Sequence, residues 1–580
     1  MNTRPFVIGV SLIGAALLAA QGFAGGSATG NRLLKALAEA DEVKAAQLVD
    51  QHADLNAHDD TGATPLMWAA QRGNLELTMR MLKAGADPNL RDSEDLGPLQ
   101  VAIGVRATEV ALQLIAHGAD AKAVRDSGET VLMTAARTGQ LDVMKQLIAR
   151  GADVNAYENE FHQTALMWAA GHPEEVKLLI DHRADIHAHS KVWEVTSTIY
   201  TPRARPHDAT PGLHEGEYVS EKGGQNALFF AVQQDDLESA KALVAAGIDV
   251  DERAADGSTA LLLAVYKWNS GPGGRCDMHD YPVSFRPNVA IANLLLDRGA
   301  APALANFAGY TPLHGVALGF VPPAQLNQFC RIPSIRVEGA NDTRKTSVDP
   351  QEGLSLVKRM LDLKADPNAV TRYPIAGPVG HVHLDFEHVG STPVHVAASA
   401  GNADLMKLLL EHGGNPNEIR NDGHSPLSLA AQADYLPLVE LLVANGGDVK
   451  HTYDPADPIV DVFYDSAVQV THLGRNETLL HIAAAAGAHA VVPFLVGRGV
   501  SLTAKNDKGE TALALAESQE RIRYQRDRRD AKLQRSFENP NIRDPDGIVL
   551  ESNTSDAIRR LMHMETPAVR SAKVSISPRS

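Results

Sequence analysis

Apolar residues recur along this chain with helical period, in pairs of short segments separated by polar turns. The first segment of each pair is a seven-residue block. It reads TPLMWAA from Thr64, GPLQVAI from Gly97, TVLMTAA from Thr130, TALMWAA from Thr164 and NALFFAV from Asn226. It returns as TALLLAV from Thr259, TPLHGVA from Thr311, TPVHVAA from Thr392, SPLSLAA from Ser425, TLLHIAA from Thr478 and TALALAE from Thr511. The steps 64 to 97, 97 to 130, 226 to 259, 392 to 425 and 478 to 511 are each 33 residues. Thr or Ser at the head of the block is a good N-cap, because its hydroxyl accepts from an orphan backbone N–H. Pro at the next position suits a first helical turn, where its missing N–H costs nothing. The Ala pairs that follow leave room for close packing by a neighbour.

A second helix is expected about ten residues on, where LELTMRMLKAG and LDVMKQLIARG show period-3.6 spacing. Many of these end at Gly, at 85, 118, 151, 247, 299 and 446, as a left-handed C-cap requires. A polar turn follows: ADPN at 86–89, ADVN at 152–155, ADPN at 365–368, NPN at 415–417. One such unit cannot bury its apolar face alone, so the copies must stack. The first copy, 33–56, is acidic and polar, as an end cap should be.

The unit resembles the ankyrin repeat, a β-turn finger followed by two antiparallel helices. The family pattern T-P-L-H-x-A-A is met most closely at 311–317, 392–398 and 478–484, and departs at Gly97 and Asn226, where the Thr is absent. The resemblance implies an all-α repeat solenoid of about twelve repeats over residues 25–565. It also implies a non-catalytic scaffold that binds another protein or peptide, with no catalytic residues and no cofactor. On this reading His314, His395 and His481 hold neighbouring turns together.

The N-terminus reads as a secretory signal. Arg4 gives a positive start, Phe6–Ala20 an apolar stretch of 15 residues, and Gly22 and Ala24 a small-residue cleavage site. Cleavage is expected after Ala24, giving a periplasmic or secreted protein with no membrane span thereafter. The formal charge of −17 disfavours the phosphate contacts that dominate nucleic-acid binding. Residues 566–580 read as a flexible tail.

Insertions break the period near 188–224, 269–287, 319–351, 370–390, 450–475 and 518–553. Insertions in repeat arrays often form the binding face. The aromatic side chains Trp193, Tyr200, Trp268, Tyr373, Phe386, Tyr453, Phe463 and Tyr464 fall in or beside them, as partner contacts or as pins that fasten the insertions down. Trp68 and Trp168 stand at equivalent places on first helices, where core packing is expected. Cys276 and Cys330 lie in adjacent inter-helix insertions, and an exported chain invites a disulfide between them; the alternative is two free thiols. The run HVHLDFEH puts His381, His383 and His388 near Asp385 and Glu387, a weak candidate for a metal-binding or metal-dependent enzymatic site. A third reading is a secreted host-directed or structural factor.

Overall fold

The computed structural model describes residues 27–202, 213–266, 268–269, 284–285, 287–320, 349–372, 390–420, 423–453, 476–519 and 554–565. It divides into two units, the first built on 1–196, 219–276 and 288–306, the second on 197–218, 277–287 and 307–580.

Unit one holds helix pairs in chain order. These are α1 (Ala28–Ala38) with α2 (Glu42–Asp50), α3 (Pro65–Gln71) with α4 (Leu75–Lys83), and α5 (Pro98–Gly104) with α6 (Thr108–Ala116). Next come α7 (Val131–Thr138) with α8 (Leu141–Ala149), and α9 (Ala165–Trp168) with α10 (Pro173–Asp181). After a β-hairpin follow α11 (Ala227–Gln233) with α12 (Leu237–Ala245), and α13 (Ala260–Val265) with α14 (Val289–Asp297). First helices pack on first helices of the neighbouring pair, and second helices on second helices. The Ala pairs make this close approach possible: Ala69, Ala70, Ala135 and Ala136 are wholly buried.

Unit two repeats the arrangement. It holds α15 (Pro312–Gly319) with α16 (Pro350–Asp362), α17 (Pro393–Ala400) with α18 (Ala403–Glu411), and α19 (Pro426–Gln432) with α20 (Leu436–Ala444). Then come α21 (Leu479–Ala486) with α22 (Val491–Gly497), a helix α23 described over 512–519, and α24 (Thr554–Glu565).

The caps form as the sequence demands. Thr64, Thr130, Thr259, Thr392 and Ser425 each accept the N–H three residues on. Where Gly97 replaces the Thr, Gln100 Oε1 turns back to accept the Gly97 N–H at 3.2 Å. The six second-helix glycines all adopt positive φ. Gly309 needs it for a further reason: a Cβ there would stand 2.4 Å from the Val370 carbonyl oxygen.

The polar turns do more than reverse the chain. Asn56 Oδ1 accepts the Asp87 N–H at 3.0 Å, and Asn89 Oδ1 accepts the Asp120 N–H at 2.8 Å while its Nδ2 donates to the Gly118 carbonyl at 3.0 Å. Asn155 accepts from Asp185 N–H at 2.7 Å. In unit two Asn368 accepts from Asn415 N–H at 2.7 Å and Asn417 from Asp448 N–H at 2.8 Å. In each of these five turns an asparagine thus stitches its repeat to the next.

The segment 188–224 departs from the all-helical expectation. It contains β1 (Trp193–Pro202) and β2 (Leu213–Lys222), paired as a two-stranded sheet. Its root is tied by Ser190 N–H to Gln225 O at 2.9 Å and Gly224 N–H to Ser190 O at 3.1 Å. Shorter strands β3 (Trp268–Asn269), β4 (Ser284–Phe285), β5 (Thr452–Tyr453) and β6 (Glu477–Thr478) also occur, with β5 antiparallel to β6. The remaining parts of the other five insertions, the leader and the tail lie mostly outside the described residues.

Candidate functional site

Each finger of unit one is a tight turn held by its own polar side chain. Asp59 Oδ1 accepts the N–H groups of Thr61 and Ala63 and the Thr61 hydroxyl, and its Oδ2 accepts Trp68 Nε1–H at 3.0 Å. Glu158 does the same for Glu160, Phe161 and Gln163. Neighbouring fingers are joined through the backbone: Ser93 N–H to Thr61 O at 2.9 Å, Asn159 to Ser127 at 2.8 Å, Lys191 to Phe161 at 2.7 Å, and Ala255 to Gly223 at 3.0 Å. The Arg91 guanidinium, 2.7 Å from Asp95, holds that carboxyl below the ordinary carboxylate range.

This rigid edge carries apolar side chains that face water. Tyr157 is 56% exposed and Trp193 37% exposed, with Val124 and Val192 exposed beside them. The rings touch in two pairs, Tyr157 with His162 at 4.9 Å and Phe161 edge-on to Trp193 at 5.5 Å. Trp193 also lies over Gly223, where any Cβ would strike its ring. Val124 and Tyr157 occupy corresponding places, each bridged to the Thr that opens the following helix. Fixed rings of this kind give contact area without a large ordering cost.

The two equivalent tryptophans differ. Trp68 is core, 4% exposed and bonded to Asp59. Trp168 is only half-buried; its Nε1–H goes to Gln163 Oε1 at 2.8 Å and the Arg137 guanidinium lies 4.8 Å above the ring. Core burial thus holds for Trp68 and not fully for Trp168. The reason is local: α9 is four residues long, and α10 starts nine residues after Thr164, where α4 starts eleven after Thr64.

Of the aromatic residues singled out from sequence, Trp193 stands on this edge. Tyr453 is corrected: it is 1% exposed, and its hydroxyl shares a 2.9 Å hydrogen bond with Ser425 Oγ. Burial pushes its pKa up to about 12. It pins the root of its insertion to α19 and offers nothing to a partner. Tyr200 and Trp268 lie in strands whose side chains fall outside the described residues, as do Tyr373, Phe386, Phe463 and Tyr464 altogether. Cys276, Cys330, His381, His383, His388, Asp385 and Glu387 are likewise outside them. Among the described residues no group of three or more His, Cys, Asp or Glu is placed to hold a metal ion, and no helix is long and apolar enough to cross a membrane.

His314, His395 and His481 of unit two are structural. His314 Nδ1 meets Thr311 Oγ1 at 2.9 Å and its Nε2 meets Ser391 O at 3.3 Å. His395 joins Thr392 Oγ1 at 2.9 Å to Glu418 O at 3.0 Å, and His481 joins Thr478 Oγ1 at 2.8 Å to Glu510 O at 3.1 Å. Each imidazole ties the start of one helix to the next finger. Burial drives the His314 pKa down to about 4 and lowers that of His481.

The family model described as ankyrin repeats (3 copies) matches residues 33–125, 99–190 and 351–453. These three stretches match ankyrin repeats. The first two matches overlap and take in the fingers of Asp59 and Glu158; the third takes in His395, His424 and Tyr453. No curated protein matches the sequence. Ankyrin repeats generally mediate protein–protein interaction. The signal that sequence reading passed over at this edge was Tyr157 and Phe161 themselves, which sit in an ordinary-length finger while attention went to the insertions.

Proposed function

We propose that the chain is an exported scaffold of twelve ankyrin repeats that binds another protein or peptide and carries out no chemistry of its own. The carrying observation is the exposed group Tyr157, Val192 and Trp193, with the half-buried Phe161 packed against Trp193, fixed on fingers whose backbones are hydrogen-bonded to one another. Exposed aromatic side chains on a rigid support are the usual anchors of a protein interface. Export is supported by the Arg4 start, the apolar stretch Phe6–Ala20 and the small residues to Ala24.

The test is a pull-down from periplasmic extract with the full chain and with a Tyr157→Ser/Trp193→Ser variant of unchanged melting temperature. The variant is expected to lose the partner that the parent recovers. Equal recovery by both would remove this edge from the interface. N-terminal sequencing of the exported product checks the leader: a start at Gly25 is expected, and an intact Met1 would make the leader an anchor.

A further inference from the structure

Resting on the scaffold reading, we propose that the partner presents a basic segment, rich in Lys or Arg with apolar residues between, to the Tyr157–Trp193 edge. Four of the nine large apolar side chains exposed among the described residues stand here: Val124, Tyr157, Val192 and Trp193. They stand on successive fingers that are joined backbone to backbone, a concentration of the kind that marks interaction sites. Its exposed charges are net negative. Asp126, Glu160 and Glu194 are exposed along it against Lys122 and Lys191, three carboxylates to two ammoniums. The arginines of the neighbouring fingers are already answered, Arg91 by Asp95 at 2.7 Å and Arg125 by Glu129 at 3.0 Å. The whole chain, at −17, adds a long-range field of the same sign.

Rings beside carboxylates suit a cation better than any other polar group. The face of Tyr, Phe or Trp attracts an ammonium or guanidinium within about 6 Å, and a nearby carboxylate completes its hydrogen bonds. Unit one makes this contact internally, with the Arg137 guanidinium 4.8 Å above Trp168 and 3.4 Å from Glu129. The edge offers the same elements to an incoming chain. The group spans neighbouring fingers, Tyr157 and Phe161 on one and Trp193 beyond it, so a ligand must be long enough to reach from one to the next.

The experiment uses the full chain, immobilised, and a displayed library of random twelve-residue peptides. Enriched sequences are expected to be net positive and to release at high salt. An Asp126→Lys/Glu160→Lys/Glu194→Lys variant should bind them roughly tenfold or more weakly, since exposed charge contacts are individually modest and act here together. Tyr157→Ser/Trp193→Ser should also weaken them. The three carboxylates and Tyr157 face water, so the charge variant and Tyr157→Ser alone should melt with the parent; Trp193 also packs on Phe161, so Tyr157→Ser carries the ring test where the double variant melts lower. Enrichment of neutral or acidic peptides at this edge would overturn the charge assignment and leave the scaffold reading standing. Peptides that ignore both variants, or no enrichment, would overturn the edge itself.

Discussion

The two units fill one structural slot with different chemistry. The slot is the third residue of each first helix, facing the finger. Unit one places Met67, Met133, Met167, Phe229 and Leu262 there, with Gln100 where the capping Thr is missing. Unit two places His314, His395 and His481, with Ser428 in α19 and Ala514 in α23. The first solution holds the finger by packing. The second holds it by a hydrogen-bonded bridge from the capping Thr to a carbonyl of the next finger. The backbone outcome is the same, so the difference teaches which forces are interchangeable: buried methylenes and a neutral imidazole serve equally, as long as the imidazole stays neutral.

That condition gives the largest expected effect. The ordinary His pKa of 6.5 falls to about 4 at His314. Between these values only the unfolded chain takes up the proton. Stability is therefore fully present above about pH 6.5 and is lost as pH falls towards 4, by roughly 3 kcal/mol for this residue. His481 shifts in the same direction. Peptide-resolved hydrogen exchange at pH 7 and at pH 4.5 should show unit two opening while unit one, which has no such histidine in the slot, holds. Simultaneous opening would break the comparison.

Substitution in the slot comes next. His395→Leu leaves the Thr392 N–H and the Glu418 carbonyl without their partner and should cost about 2–3 kcal/mol in urea unfolding. Met133→Leu keeps volume and should cost less than about 1.5 kcal/mol. A smaller contrast lies inside unit one. Trp68→Phe strands the buried Asp59 Oδ2 and should cost about 1–2 kcal/mol. Trp168→Phe frees a half-buried Gln163 that can turn to water, so the melting temperature should barely move. The smallest effect should be the same in both units: Asn89→Ala and Asn417→Ala each remove one exposed stitch, about 1 kcal/mol apiece. Unequal losses there would mean that the units differ in more than the slot.

Much of this was legible in the sequence because repetition amplifies weak signals. A single Thr-Pro-Leu is a poor predictor; Thr-Pro followed by Leu or Val at 64, 311 and 392 with Gly at fixed offsets is not. The bridging role of His314, His395 and His481 came with the resemblance to the ankyrin repeat, whose T-P-L-H position they occupy. What stayed hidden had no copy to compare with. β1 and β2 occur once, in a segment with turn-forming Pro and Gly between strands, so periodicity gave no guide. Tyr453 looked like its neighbours Phe463 and Tyr464 in composition, yet it lies at the root of the insertion, where Ser425 waits for its hydroxyl. Trp168 differs from Trp68 through two missing residues downstream, a change in length that leaves the heptapeptide almost untouched. The asparagine stitches were visible as a conserved-looking letter in the turns, but a turn residue has many local uses and only geometry shows which one it serves.

Those stitches are not continuous. The turn 119–122 ends in Lys122 and the turn 447–450 in Lys450, and a lysine ammonium has no lone pair with which to accept a backbone N–H. Each unit therefore contains a seam. Across the Lys122 turn the fingers are still joined, Asn159 N–H to Ser127 O at 2.8 Å, so the lacing is interrupted along the row of turns there while the row of fingers carries it on.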